Sequence, residues 1–220
     1  MRRLARHRLI VVLAALACGG ALLLGLGLWG LQNANLATHN PDPLIPSAVV
    51  TFSDPSPDET PPTKECDDYR VPADEPRHID VPDIGVAGCI LRVGVDQNGS
   101  IAVPSNVHVA GWFVDSVLPG EKGVSIIDGH VSGVYGGAIF SALADLVPGD
   151  QVIVELGTGL TREFVVVSVD TYSVAETAAE QFRQLEGVDR QLTLITCGGA
   201  FDHTTRLYDD RVVVRASALP

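Results

Sequence analysis

Between Leu9 and Leu31 the chain runs for 23 residues without a formal charge, directly after a tip in which Arg2, Arg3, Arg6 and Arg8 stand without an acid. As a helix rising about 1.5 Å per residue, such a run spans roughly 34 Å, enough to cross a bilayer core. A cleavable signal peptide has the same basic start and apolar run. This one is longer than a usual signal core, and no small-x-small cleavage site precedes a polar exit, so an uncleaved anchor is the expectation. Cys18, in Leu16-Ala17-Cys18-Gly19, has the look of a lipidation site, but the apolar stretch continues past it, as for an unmodified membrane cysteine. Arginines on the short side place residues 1–8 in the cytoplasm, 9–31 in the membrane and everything after Leu31 outside.

The charge of the rest excludes one class of function. The 220 residues carry 15 basic and 27 acidic side chains, a formal −12. Four of the basic residues lie in the tip, so 11 face 27 acids beyond it, about −16. A surface of that sign does not neutralise phosphates, and no nucleic-acid partner is expected. Residues 32–76 hold nine of the 14 prolines and nine acids, with Lys64 and Arg70 as their bases. Runs such as Asp54-Pro55-Ser56-Pro57 and Thr60-Pro61-Pro62-Thr63 supply neither ladder hydrogen bonds nor an apolar face, which predicts an extended stalk. Residues 77–220 are the length of one domain.

Within that domain the punctuation is all-β. Leu91–Val95 and Ile101–Val103 flank Asn98-Gly99, a hairpin signal. Apolar or alternating runs follow at 124–127, 151–155, 163–169, 191–196 and 212–215, broken by turns such as Val147-Pro148-Gly149-Asp150. Two short helices are expected: Ala138–Leu146, with Ile139, Leu143 and Leu146 on one face, and Ala175–Leu185, opened by a capping box from Ser173 to Glu176. A closed β-barrel of about eight strands with short helical insertions is the economical architecture, because closure leaves no strand edge open.

The cysteines and histidines supply the chemistry. With Cys18 in the membrane, Cys66, Cys89 and Cys197 lie where oxidation is permitted, and three cannot all pair within one chain. Cys66 ends the stalk and Cys89 lies in an expected first strand; either is a lone structural cysteine, or the two pair. Cys197 closes the strand Leu192–Thr196 and precedes Gly198-Gly199, a place where a thiol faces a cleft and a substrate backbone can approach. A buried, inert cysteine is the plain alternative. A thiol nucleophile also needs a proton acceptor and donors for an oxyanion. His108, in the strand-like Val107-His108-Val109, reads as packed, and His203 as solvated. His130 ends the apolar strand Val124-Ser125-Ile126-Ile127-Asp128 at a glycine-assisted exit like that of Cys197.

Thr193-Leu194-Ile195-Thr196-Cys197 matches the TLxTC signature of sortases, the extracellular cysteine transpeptidases of Gram-positive bacteria. Gly129-His130, then Cys197, then Arg211 before Val212-Val213-Val214 resemble that family's His, Cys and Arg in the same order. Cys197-Gly198-Gly199-Ala200-Phe201-Asp202 and Ala138-Ile139-Phe140 resemble the class F sortases of actinobacteria in particular. The resemblance covers about residues 81–216, and the anchor and stalk are similar to the family's layout. Two departures are Asp128, where class F members often carry a small residue, and the residue before the final valines, often Asn there. Arg206 is the alternative arginine.

The resemblance implies a sortase-like barrel that binds an LPxTG-type sorting signal. Cys197 would be the nucleophile, His130 the general acid and base, and Arg211 the oxyanion or substrate stabiliser. An amine of a cell-wall precursor would accept the acyl group. Thr196, Gly198 and Phe182 are candidate substrate-binding residues, Phe182 lying in the segment 171–190 that corresponds to the loop closing over the signal, where core packing is its plainer role. No metal, nucleotide or haem motif is present, and no acidic cluster predicts calcium, so no cofactor is expected. Asp54-Pro55-Ser56 lacks the aromatic that follows Asp-Pro in pilus-type lids, which favours anchoring of proteins to the wall. The alternative is a membrane-anchored barrel that binds without chemistry. The Ser-His-Gly-Cys arrangement of an L,D-transpeptidase is absent.

Overall fold

The computed structural model of the chain describes residues 59–63, 66, 69 and 71–220. The expected span Leu9–Leu31 and most of the stalk lie outside these. Among the described residues no helix is long and apolar enough to cross a membrane. Eight strands are present: β1 (Pro76–Val81), β2 (Val86–Val93), β3 (Ala110–Phe113), β4 (Gly123–Asp128), β5 (Gln151–Leu156), β6 (Thr161–Ser173), β7 (Arg190–Asp202) and β8 (Leu207–Ala218). They close into a barrel in the order β1-β2-β3-β4-β7-β8-β6-β5.

Six neighbouring pairs are antiparallel, and two, β2 with β3 and β4 with β7, are parallel. A parallel pair cannot be joined by a tight turn. The crossover of residues 94–109 therefore links β2 to β3, and a long excursion through β5, β6 and a helix links β4 to β7. These two excursions bring remote segments to one end of the barrel. Inside, Ile79, Ile90, Ile127, Phe140, Phe164 and Leu194 are fully buried in one cluster. Each contributes about 1.5–3 kcal/mol by leaving water. β5 alternates half-buried and buried, a strand with one face inward, whereas Gln191–Thr196 of β7 is buried throughout. Buried Gln191 keeps its amide satisfied: Nε2 donates to the Arg183 carbonyl and Thr193 Oγ1, and Oε1 accepts from the Leu185 amide.

Several expectations are corrected. β1 and β3 had no sequence signal strong enough to announce them; Ala110-Gly-Trp-Phe113 is buried at every position and so lacks alternation. The hairpin at Asn98-Gly99 shrinks to one bridge, Val95↔Ile101, and Leu91–Val93 instead completes β2. Its turn stands: Gly99 has φ of 80°, and the Asp96 carboxylate accepts from the amides of Asn98 and Ser100. Val107-His108-Val109 is a turn rather than a strand. Ala138–Leu146 buries Ile139, Leu143 and Leu146 as expected, but its helix is a single 3-10 turn, Leu143–Asp145. Ala142 at its N-cap offers no side-chain acceptor, and Pro148 beyond keeps the chain from continuing.

Helix α1 (Val174–Glu180) opens with the predicted capping box: Ser173 accepts from the Glu176 amide, and Glu176 accepts from the Ser173 amide. Arg215 of β8, with no exposed surface, holds it to the barrel. Its Nη2 donates to the Glu180 carbonyl and carboxylate, both at 2.9 Å, and its Nη1 to Asp170 Oδ2 of β6 at 2.8 Å. Among the described residues, Cys66 and Cys89 form a disulfide, and Cys197 is free.

Candidate active site

His130, Cys197 and Arg211 arrive from three adjacent strands. The parallel pairing of β4 and β7 ends at Asp128↔Ile195. His130 and Cys197 each stand two residues beyond that pair, so they come to the same level on neighbouring chains. Two hydrogen bonds fasten the exit: the Gly129 amide donates to the Ile195 carbonyl at 3.1 Å, and Thr196 Oγ1 donates to the Gly129 carbonyl at 2.7 Å. On the other side of β7, Cys197 is paired directly with Arg211 of β8. Arg206 lies instead at the outer turn of the β7–β8 hairpin, exposed, with φ of 59°.

Cys197 does not end its strand, as the sequence had implied. β7 continues to Asp202, with a break in register between Gly198 and Phe201. The glycines serve that bulge. Gly199 has φ of 76°, and a Cβ at Gly198 would come within 2.9 Å of Val212 Cγ2. Arg211 likewise lies within β8 rather than at its start, its Nη1 donating to the carbonyls of Tyr208 and Asp210.

His130 is oriented by a backbone group. Nε2–H donates to the Pro104 carbonyl at 2.8 Å. A carbonyl only accepts, so the neutral ring carries its proton on Nε2 and keeps Nδ1 as the basic nitrogen. Burial pulls this imidazole below its ordinary pKa, opposed by the Pro104 bond and by the Glu59 carboxylate. The Cys197 thiol is pushed up by burial, with Arg211 lowering it and Asp128 raising it. The resting pair at neutral pH is therefore thiol and neutral imidazole, with the arginine as the cation that favours thiolate.

Asp128 has 5% exposure, and its Oδ1 has no hydrogen-bond partner. Burial holds its carboxyl well above the usual range. A Cβ at Gly111 would lie 2.6 Å from that oxygen, so a glycine opposite makes room for the carboxyl.

Of the remaining candidates, Thr196 is buried behind the cysteine with its hydroxyl on Gly129. Gly198 lies at the bulge. Phe182, after α1, is 49% exposed, its ring centroid 6.2 Å from that of Phe113, and so is not a core residue. Sequence reading missed Pro104 and the bond from Ser132 to the Tyr208 hydroxyl (2.9 Å), which joins the histidine loop to the β7–β8 hairpin. The first acts through its backbone and the second across 76 residues, so neither leaves a local pattern. Among the described residues no three metal-ligating side chains converge.

A thiol paired across two strands with an arginine, and set level with a histidine, is the equipment of acyl transfer. The family model for the sortase domain matches residues 79–219, more than half of the chain. The chain belongs to the sortase family. Sortases are cysteine transpeptidases, acting in general on sorting-signal proteins and amine nucleophiles.

The sortase fold recurs in solved structures. A lid mutant of sortase A from Corynebacterium diphtheriae is 22% identical with a TM-score of 0.52, covering 69% of this chain and 73% of its own. Sortase C1 of Streptococcus agalactiae is 23% identical with a TM-score of 0.51, covering 66% and 67%. Sortase C-1 of Actinomyces oris is 23% identical with a TM-score of 0.51, covering 80% and 91%. No curated protein matches this sortase by sequence.

Proposed function

We propose that this sortase cleaves an LPxTG-type sorting signal through a thioester on Cys197 and passes the acyl group to an amine of a cell-wall precursor. His130 gives its proton to Cys197's opposite number, the departing glycine amine, after accepting one from the thiol. The thiolate attacks the threonine carbonyl, the Thr–Gly C–N bond breaks, and the acyl group stays on sulfur. The acceptor amine then attacks the thioester, His130 removes its proton at Nδ1, the C–S bond breaks, and the sulfur takes that proton from His130 to restore the thiol and the neutral imidazole. Arg211 stabilises the thiolate and the oxyanion or orients the peptide. Thr196, Gly198 and the exposed Phe182 are the residues assigned to contact the peptide.

The motifs around Cys197 and Ala138-Ile139-Phe140 favour class F within the family. The basic tip and uncharged run favour a single-pass protein of a Gram-positive cell membrane, with a cytoplasmic N-terminus and the barrel outside. The disulfide fits that compartment.

The observation that most supports this reading is the pairing Cys197↔Arg211 alongside the β4–β7 register that levels His130 with the cysteine. With the full-length protein, an LPxTG-type peptide and an amine, Cys197→Ala and His130→Ala should abolish transpeptidation. Arg211→Ala should lower kcat/KM on the order of 100-fold, the scale of losing one oxyanion donor, and Arg206→Ala should leave it unchanged. Loss with Arg206→Ala alone would move the role to that residue, and turnover by Cys197→Ala would remove the thiol from the chemistry.

A further inference from the structure

The loop that carries His130 onward has almost no packing of its own. Residues 132–137 form a tight hairpin closed by the Ser132↔Gly137 bridge and by the Gly133 amide donating to the Gly136 carbonyl. At its tip the side chains of Val134 and Tyr135 are 61% and 80% exposed. Polar attachments therefore fix its position. One is Ser132 to Tyr208. The other comes from the proline-rich segment ahead of the barrel: the Glu59 carboxylate accepts from the amides of Val134 at 2.6 Å and Tyr135 at 3.3 Å. A Cβ at Gly133 would stand 2.5 Å from both carboxylate oxygens, so a glycine there admits the acid.

Glu59 is itself held from two sides. Asn106 Nδ2 donates to the Thr60 carbonyl at 2.9 Å, and the buried Cys66–Cys89 disulfide ties the segment to β2. Between these anchors Pro61, Pro62 and Thr63 wall a cavity of about 230 Å³ that His78 and His108 also line. Of the described residues between them, Pro61 and Thr63 are exposed and Pro62 is half-buried, so packing contributes little there beside the two attachments. The segment thus contacts both pieces of chain around His130: the hairpin beyond it, through Glu59, and the crossover whose Pro104 carbonyl accepts from Nε2–H, through Asn106.

We propose that Glu59, carried on a strap whose far end is fixed by the Cys66–Cys89 disulfide, is a positioning residue for His130. It sets the ring's place by anchoring the amides of Val134 and Tyr135 in the hairpin that follows His130, and it is a positioning group rather than one that reacts. The proposal rests on His130 being the proton-transfer group. Because the strap is covalently anchored, full activity then depends on an oxidising compartment, although the nucleophile itself is a free thiol.

The test uses full-length wild type, Glu59→Ala, Glu59→Gln, the double variant C66A/C89A and the triple variant combining E59A with it. Amide exchange over residues 131–137 and kcat and KM with an LPxTG-type peptide are measured on each. Glu59→Ala should speed exchange of that loop and lower kcat on the order of ten-fold, the scale of a small misplacement of a catalytic group, with KM little changed. Glu59→Gln, which keeps one acceptor oxygen, should fall between. C66A/C89A should reproduce both effects, and the triple variant should be no worse than the poorer of the two, because carboxylate and disulfide act through one strap. Wild-type exchange and kcat in Glu59→Ala would overturn the proposal, as would fully multiplicative losses in the triple variant. If wild type itself fails to turn over the peptide, the transpeptidase reading fails, and the loop exchange alone decides whether Glu59 anchors the hairpin.

Discussion

A single buried carboxyl beside His130 and Cys197 shows how environment overrides residue type. Asp128 precedes Gly129-His130, and an ionised acid there would oppose thiolate formation at Cys197. Burial opposes that ionisation. Its folded pKa is raised above the unfolded one, so its contribution to stability is fully present below the unfolded value and is lost as pH rises through the folded one. Asp128→Asn removes the ionisation. Relative to wild type its Tm should therefore be higher at pH 8 than at pH 4, measured by thermal melts at both values. An equal difference at the two pH values would place the carboxyl in water. The acid at 128 was visible in the sequence; its burial against Gly111, a partner 17 positions away, was not.

At the scale of elements, the sequence spoke clearly where one local rule decided the outcome. The capping box at Ser173–Glu176 gave α1, and alternation gave β5. It spoke poorly where tertiary pairing decided. β3 is four buried residues recruited by two neighbours, and β7 runs through Cys197 because β8 pairs with it on both sides of the register break at Gly199-Ala200. Arg215 belongs to the same category. Nothing near it in sequence announces a buried cation, yet it joins β8 to β6 and α1. Arg215→Ala removes a side chain with no exposed surface and leaves a cavity, while Asp170 keeps the Ser168 hydroxyl and contact with water; by the usual cost of a large-to-small change in a core it should destabilise the barrel by about 3 kcal/mol. That corresponds to a fall in Tm of roughly 6–12 °C in a chain of this size. Calorimetry checks it, and a change under about 1 kcal/mol, the range of a surface pair, would contradict it.

For the whole molecule, topology explains how three residues far apart in sequence come to neighbouring strands while the groups that support them left no local pattern. The TLxTC run, the Gly129-His130 exit and Arg211 are each local patterns on strands that the barrel order β3-β4-β7-β8 makes adjacent. The strap was legible only as proline and acid. Its disulfide remained one of two readings, because pairing depends on β2 lying beside it. Closure of the sheet turns these remote pieces into one site, with the thiol at its centre. The most direct measurement is a mass spectrum of the full-length protein quenched during reaction with an LPxTG-type peptide. The predicted result is a protein heavier by the acyl portion of the peptide, labile to hydroxylamine, mapped to Cys197 and absent from Cys197→Ala. Turnover with no acyl adduct on Cys197, or an adduct retained in Cys197→Ala, would contradict the account.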